Sequence, residues 1–142
     1  MTDRTASVTW TGSLFEGEGK VTFASSGLAS DAPVSWPSRA EEPAGQTSPE
    51  ELIAAAHASC FSMALSKQLA DRGATPERLE TSATVTFIPG TGITMSALTV
   101  RITAPGLDDA GLQEATEAAK TGCPVSQALA GNVEITLDAA FA

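Results

Sequence analysis

The strongest constraint on how this chain folds is a run of 14 mostly small and apolar residues, 52–65, directly after a helix start signal. Ser48 is typical of an N-cap, Pro49 of the first helical position, and Glu51 completes a capping box with Ser48. The predicted helix continues to about Arg72. Because apolar residues cover almost its whole circumference rather than one stripe, such a helix must be surrounded by protein.

The composition makes that cover difficult to supply within one chain. Of the 142 residues, 25 are Ala, whereas Leu, Ile, Val and Phe total only 28, with two Trp and no Tyr. Together with a net charge of −9, this lies near the composition at which intrinsic disorder begins. The capping box and the clear periodicity argue against disorder, and the length suits one domain over residues 1–142.

Five segments alternate apolar and polar residues with a period of two, which predicts strands that bury one face and pair antiparallel. They are residues 8–11, 21–24, 82–87, 98–103 and 133–138, with a Pro89-Gly90-Thr91-Gly92 turn between the third and the fourth. Two further helices are predicted, one from about Asp108 to Gly122 and a short one that opens at Cys123 and Pro124. Residues 38–48 have the composition of an exposed loop. The predicted fold class is α+β, with antiparallel sheets around a long central helix.

Several classes of protein are disfavoured. The apolar run includes a histidine, two serines and a cysteine, and it is shorter than the roughly 20 apolar residues that span a bilayer. The N-terminus lacks a basic start followed by an apolar run, so we expect no secretory signal. The 8 basic residues do not cluster and are outnumbered by 17 acidic ones, which argues against a nucleic-acid partner. A cytoplasmic protein without membrane or nucleic-acid partners is expected.

Candidate residues for chemistry are few. The two cysteines are 63 positions apart and there is a single histidine, so the paired spacing of a zinc site is absent and no metal is expected. Cys60 lies in the middle of the apolar helix, where a free cysteine is most often a small core residue. Burial would raise the pKa of its thiol and leave it inert unless a cation such as His57 or Arg39 stabilised the thiolate. In isolation, however, Arg39 suits an ion pair with a neighbouring glutamate.

Cys123 is placed differently. It precedes Pro124 at a predicted helix start, where free backbone N–H groups and the helix dipole favour a negatively charged sulfur. From the pKa argument alone, Cys123 is therefore the more acidic of the two thiols.

Two long motifs resemble one known family. Residues 48–65 (SPEELIAAAHASCFSMAL) resemble the signature helix of the superfamily of osmotically inducible protein C (OsmC) and organic hydroperoxide resistance (Ohr) proteins, and residues 122–126 (GCPVS) resemble its second cysteine motif. The resemblance extends over the whole chain in length and element order. Arg39, which precedes the acidic loop, is similar to the arrangement of the OsmC branch. The hydroperoxide-resistance branch carries its arginine in an early Gly-rich motif, and Arg4 lacks such surroundings.

The resemblance implies a thiol-dependent peroxidase that reduces organic hydroperoxides and hydrogen peroxide without a metal or organic cofactor. Cys60 would be the peroxidatic cysteine and Cys123 the resolving one, with an external dithiol as reductant. Arg39 would stabilise the Cys60 thiolate, held in bidentate geometry by Glu50. The resemblance also implies an OsmC-like fold as an intertwined homodimer, which would supply the missing cover for the central helix.

The implied roles leave two questions. Glu50 and Cys60 lie about 15 Å apart on an ideal helix, so Glu50 acts through Arg39, from a distorted first turn, or from a neighbouring subunit. Cys123 is the more acidic thiol, but an arginine contact outweighs a helix-end effect of about 0.3–1 kcal/mol, so we expect Cys60 to be the nucleophile. His57 is expected to be structural, since the hydroperoxide-resistance branch has a tyrosine there. The alternative function is a non-enzymatic redox-sensing or apolar-ligand-binding module.

Overall fold

The long helix expected from the capping box forms over Pro49–Asp71, in a computed structural model that describes residues 1–142. Its start agrees with the prediction, because the Ser48 hydroxyl accepts a hydrogen bond from the backbone N–H of Glu51 at 3.1 Å. Six strands and four helices follow the order β1 (Ser7–Thr11), β2 (Glu18–Thr22), β3 (Ala32–Val34), α1 (Trp36–Ala40), α2 (Pro49–Asp71), β4 (Arg78–Ile88), β5 (Gly92–Thr103), α3 (Asp109–Gly122), α4 (Pro124–Leu129) and β6 (Glu134–Phe141). The chain divides into two compact units, Met1–Leu52 and Ile53–Ala142.

The first unit contains a three-stranded antiparallel sheet in the order β1-β2-β3. Val21 of β2 is buried, whereas every residue of β1 is exposed, including Trp10. The alternation of β1 predicts one covered face, and this chain alone does not cover it. The sequence does not predict β3, because three residues that include Pro33 are too few to show a period.

Helix α1 corrects the expectation of an exposed loop over residues 38–48. Its N-cap Ser35 and Ser38 form a reciprocal capping box, and Ser38 is buried. The Ser38 hydroxyl also lies 2.9 Å from the carbonyl oxygen of Thr47, which ties the following loop to α1. A single helical turn shows no apolar period, and its capping box has serine where glutamate or glutamine is usual. Residues 41–45 are exposed, so the loop prediction holds for them.

The second unit contains a mixed three-stranded sheet in the order β4-β5-β6. β4 and β5 form the predicted antiparallel hairpin, with a bulge between Thr86 and Phe87. β6 instead runs parallel to β5, beginning at the pair Met95 and Glu134. The expectation of antiparallel pairing therefore does not extend to β6. The physical reason is the connection, since α3 and α4 form the long crossover that a parallel neighbour requires.

The core of the second unit is built from α2, α3 and one face of β5. Nine of its side chains are at most 2% exposed: Phe61, Leu65 and Leu69 of α2, Leu98, Val100 and Ile102 of β5, and Leu112, Ala115 and Ala119 of α3. Burying each large aliphatic or aromatic side chain stabilises the fold by about 1.5–3 kcal/mol. This core holds the middle of α2, and with it Cys60, in a defined position.

Only one stripe of α2 is buried within a single copy of the chain. The buried side chains recur at every fourth position from His57 to Leu69. Met63 is 73% exposed, and Ala55 and Ala56 are exposed as well. The all-round apolar character of α2 thus exceeds the cover that one copy supplies. Neither α2 nor any other helix combines the length and apolarity needed to cross a lipid bilayer.

Candidate active site

The fold brings together two cysteines that are 63 positions apart in the chain. Cys60 lies on α2 and is half-buried, and Cys123 lies between α3 and α4 and is fully buried. Both are free thiols, and they hydrogen-bond to each other. Contact between two free thiols is the arrangement that reversible disulfide formation requires.

The two thiols differ in acidity. Burial raises the pKa of Cys60, and its hydrogen bond to Cys123 raises it further, against a smaller opposing effect of the backbone N–H of Val125. Burial also acts to raise the pKa of Cys123, but hydrogen bonds outweigh it and the pKa is lowered. Those bonds come from Cys60, from the Ser126 backbone and hydroxyl, and from Val125. Within the second unit Cys123 is therefore the more acidic thiol, in agreement with the sequence argument.

His57 belongs to a buried polar chain beside this pair. It is fully buried, with Nδ1 2.6 Å from the Ser96 hydroxyl and Nε2 2.8 Å from the Ser126 hydroxyl. Burial lowers the pKa of His57, so its imidazole is neutral near pH 7. Ser126 also contacts the Cys123 sulfur, which links His57 to the thiols through one side chain.

Arg39 and Glu50 form an ion pair in the first unit. Arg39 Nε and Nη2 lie 3.0 and 2.9 Å from the same carboxylate oxygen, Glu50 Oε1. The pair expected from the sequence therefore forms, but not in the bidentate geometry, because both nitrogens share one oxygen. Glu50 is only 7% exposed, and its second oxygen, Oε2, is buried without a hydrogen-bond partner. A buried carboxylate oxygen without a partner is costly and rare in folded proteins.

A groove of about 370 Å³ opens beside Cys60 in the second unit. It is lined by Cys60, Met63, Ala64, Lys67 and Gln68 of α2 together with Ala118, Gly122 and Pro124. Most of these side chains are apolar, and the polar ends of Lys67 and Gln68 are the exceptions. The groove gives a small apolar molecule access to the Cys60 sulfur.

Ser96 and Ser126 are the residues that sequence reasoning missed. Ser96 shares its strand face with Leu98, Val100 and Ile102, and a serine in an apolar register is a detectable signal. Ser126 lies three positions after Cys123, inside the second cysteine motif. No three His, Cys, Asp or Glu side chains come together in a group that could hold a metal ion.

Comparison with known proteins gives matches over most of the chain. A family model described as OsmC-like protein matches residues 42–138, which include both cysteines and Glu50. The chain is 43% identical over 132 residues to the peroxiredoxin OsmC of Escherichia coli, covering 91% of this chain and 90% of that protein.

The hydroperoxide-resistance branch is also similar. An organic hydroperoxide resistance protein of Xanthomonas axonopodis pv. citri is 37% identical over 118 residues, 80% of this chain and 81% of that protein. The crystal structure of an organic hydroperoxide resistance protein from Elizabethkingia anophelis superposes with a TM-score of 0.74 at 26% identity, over 99% of both chains. With a family match across both cysteine motifs, a close relative along nine-tenths of its length and the same fold, the chain belongs to the OsmC-like protein family.

Proposed function

We propose that this protein is a thiol-dependent peroxidase that reduces organic hydroperoxides, and hydrogen peroxide, through Cys60 and Cys123. The observation that carries the proposal is the contact between two free thiols beside an apolar groove. The names of the relatives support it, since one is called a peroxiredoxin and another an organic hydroperoxide resistance protein. Its expected role is defence against oxidative or osmotic stress in the cytoplasm.

The reaction proceeds in two steps. The Cys60 thiolate attacks the distal oxygen of the hydroperoxide, so an S–O bond forms, the O–O bond breaks, and the alkoxide leaves as alcohol after taking a proton. The Cys123 sulfur then attacks the Cys60 sulfenic acid, whose hydroxyl leaves as water with the Cys123 proton. An external dithiol reduces the resulting disulfide by thiol–disulfide exchange and returns both thiols.

Activation of Cys60 needs a positive charge, because burial and the bond to Cys123 both raise the pKa of its thiol. We assign this role to Arg39, whose guanidinium Glu50 orients. Arg39 and Glu50 act on Cys60 of the same copy or of a second copy, and this assignment holds for either.

The substrate class follows from the groove. Its apolar lining favours the alkyl group of an organic hydroperoxide over a fully polar peroxide. The same lining supports the second candidate function, a redox-sensing or ligand-binding module that holds a small apolar molecule without turnover. Both candidates use the space beside Cys60, and they differ in whether peroxide is consumed.

The decisive experiment is a titration of the reduced protein with one equivalent of an alkyl hydroperoxide. We expect the peroxide to be consumed stoichiometrically, with loss of two hydrogen atoms from the intact protein as the Cys60–Cys123 disulfide forms. Addition of a dithiol should restore the original mass and allow a second round. Reversible binding of the hydroperoxide without its consumption would identify the ligand-binding module instead, and oxidation without turnover by dithiol would identify the sensor.

We also propose that the protein is a homodimer, in which a second copy covers the exposed faces of α2 and β1. These faces carry Met63 and Trp10, which are 73% and 41% exposed in one copy. We expect sedimentation equilibrium at micromolar concentration to give twice the chain mass of 14.4 kDa. Thermal unfolding should shift to higher temperature as the protein concentration rises, because dimerisation is coupled to folding. A folded monomer whose unfolding does not depend on concentration would contradict the proposal.

A further inference from the structure

The two-step peroxidase reaction leaves the buried polar chain beside the thiols without a role. Its four members come from separate elements: Ser96 from β5, His57 from α2, Ser126 from α4 and Cys123 from the junction of α3 and α4. Their side chains are at most 4% exposed. A buried hydrogen-bonded chain that crosses this many elements strongly restricts the positions of its members.

The direction of the hydrogen bonds follows from the chemistry of the groups. Neutral imidazole has one N–H donor and one acceptor nitrogen, and each serine hydroxyl has one hydrogen. If Nε2 carries the proton, it donates to the Ser126 oxygen, and Nδ1 accepts from the Ser96 hydroxyl at 2.6 Å. The single hydrogen of Ser126 is then free to point at the Cys123 sulfur. This tautomer makes every bond of the chain point toward Cys123.

We propose that Ser126 is a catalytic residue that stabilises the Cys123 thiolate by donating a hydrogen bond to it, and that His57 is the positioning residue that orients the Ser126 hydroxyl. This proposal rests on the peroxidase function proposed above and extends it to the resolving half of the reaction. No proton is lost to the chain, and His57 remains neutral throughout. His57 thus has a role in the chemistry beyond the structural one expected from the sequence.

The proposal fits the proton balance of disulfide formation. Cys123 must lose its proton before it attacks the Cys60 sulfur, and that proton leaves with the hydroxyl of the sulfenic acid as water. A donor already aimed at that sulfur lowers the pKa of Cys123 and so raises the fraction that is thiolate before the attack. When the external dithiol attacks the disulfide at Cys60, Cys123 leaves as a thiolate, and the same donor stabilises the leaving group.

Cys123 also receives hydrogen bonds from Cys60 and from the backbone N–H groups of Ser126 and Val125, and the Ser126 hydroxyl is the donor that His57 can orient. From α2 the titratable groups that face it are Cys60 and, through Ser126, the neutral His57. β5 contributes the uncharged Ser96. The last turn of α3 carries Lys120, whose Nζ lies 4.0 Å from Glu117 and is therefore engaged with a carboxylate.

The test measures the acidity of Cys123 directly, without peroxide. In a Cys60→Ser background Cys123 is the one remaining thiol, so its thiolate absorbance can be followed against pH. We expect Ser126→Ala to raise the Cys123 pKa by about one to two units, the effect of losing a hydrogen bond to a charged group. His57→Leu should give a similar rise. His57→Gln, whose side-chain amide retains a donor, should stay close to the parent.

The control is Ser62→Ala, since Ser62 is a half-buried serine of α2 that bonds to Ala58 and Thr81. It should leave the Cys123 pKa unchanged. An unchanged pKa in Ser126→Ala, or an equal rise in Ser126→Ala and Ser62→Ala, would overturn the proposal. Because serine to alanine removes only one oxygen atom, this variant decides the question even if His57→Leu fails to fold.

A second measurement tests whether the Ser126 hydrogen bond affects the rate of disulfide formation. With Cys60 intact, Ser126→Ala should slow disulfide formation at pH 7 by about three- to tenfold, because the thiolate fraction falls about tenfold per pKa unit while the remaining thiolate becomes roughly three times as nucleophilic. The defect should disappear at a pH above the pKa of the variant thiol, where Cys123 is ionised without help. A rate defect that stays constant with pH would indicate a purely structural role. If Cys60 does not react with hydroperoxide, the peroxidase function fails, whereas the thiolate titration still decides the role of Ser126.

Discussion

We expect Cys60→Ser to consume no hydroperoxide, and Cys123→Ser to consume one equivalent and then to turn over only slowly with dithiol. Cys60 lines the apolar groove, whereas Cys123 is fully buried and is not one of the lining residues. Loss of Cys60 therefore removes the sulfur that the substrate can reach. Loss of Cys123 leaves the first step intact, but Cys60 then remains a sulfenic acid because no second thiol can form the disulfide. We expect a dithiol to reduce this sulfenic acid more slowly than the disulfide. Peroxide assays and intact mass, which should rise by one oxygen atom in Cys123→Ser, check both results.

The same pair of variants tests which thiol is the nucleophile. Within the second unit Cys123 is the more acidic thiol, so acidity alone favours the opposite assignment. If Cys123→Ser were inactive and Cys60→Ser formed a sulfenic acid, the more acidic thiol would be the nucleophile rather than the more accessible one. Cys123 would then be the peroxidatic cysteine and Cys60 the resolving one. Ser59→Ala is the matched control, because Ser59 is exposed on α2 and bonds to carbonyl oxygens of its own helix. It should react like the parent protein.

Arg39→Ala should lower the second-order rate constant with hydroperoxide by about 10- to 1000-fold near pH 7. A neighbouring opposite charge shifts a pKa by about 1–3 units, and each unit changes the thiolate fraction tenfold below the pKa. Burial already raises the pKa of Cys60, so only a small fraction of the thiol is ionised near pH 7 once the cation is lost. The variant should recover activity as pH increases, because the thiol then ionises unaided. Stopped-flow rates across a pH series measure this.

Arg39→Lys separates charge from geometry. Lysine keeps the positive charge but cannot place two nitrogens on Glu50 Oε1, so we expect an intermediate rate. Arg78→Ala is the control, since Arg78 is an exposed arginine of β4 whose ion pair with Glu80 contributes little. If Arg39→Ala reacts at the parent rate over the whole pH range, Arg39 does not activate Cys60, even though the ion pair with Glu50 forms.

Local signals in the sequence predicted three of the four helices. The cap at Ser48 and the Asp108 cap of α3, which accepts from the Gly111 N–H at 2.7 Å, lie where the pattern places them. The fold-class prediction and the family resemblance are confirmed. The predictions that failed concern short or distant features: a three-residue strand, a one-turn helix, and the parallel pairing of β6. Short elements show no period, and strand direction depends on a crossover far along the chain.

The candidate site also combines residues that the sequence predicts with contacts that only the tertiary structure shows. The sequence pointed to Cys60, Cys123 and Arg39 as candidates, and the family resemblance implied their roles and that of Glu50. The contact between the thiols, the sharing of one Glu50 oxygen by two Arg39 nitrogens, and the chain from Ser96 to Cys123 depend on the tertiary structure. Capping and periodicity depend on residues a few positions apart, and they can therefore be predicted from the sequence. Hydrogen-bond direction and thiol acidity depend on groups that only packing brings together, and so only the folded chain decides them.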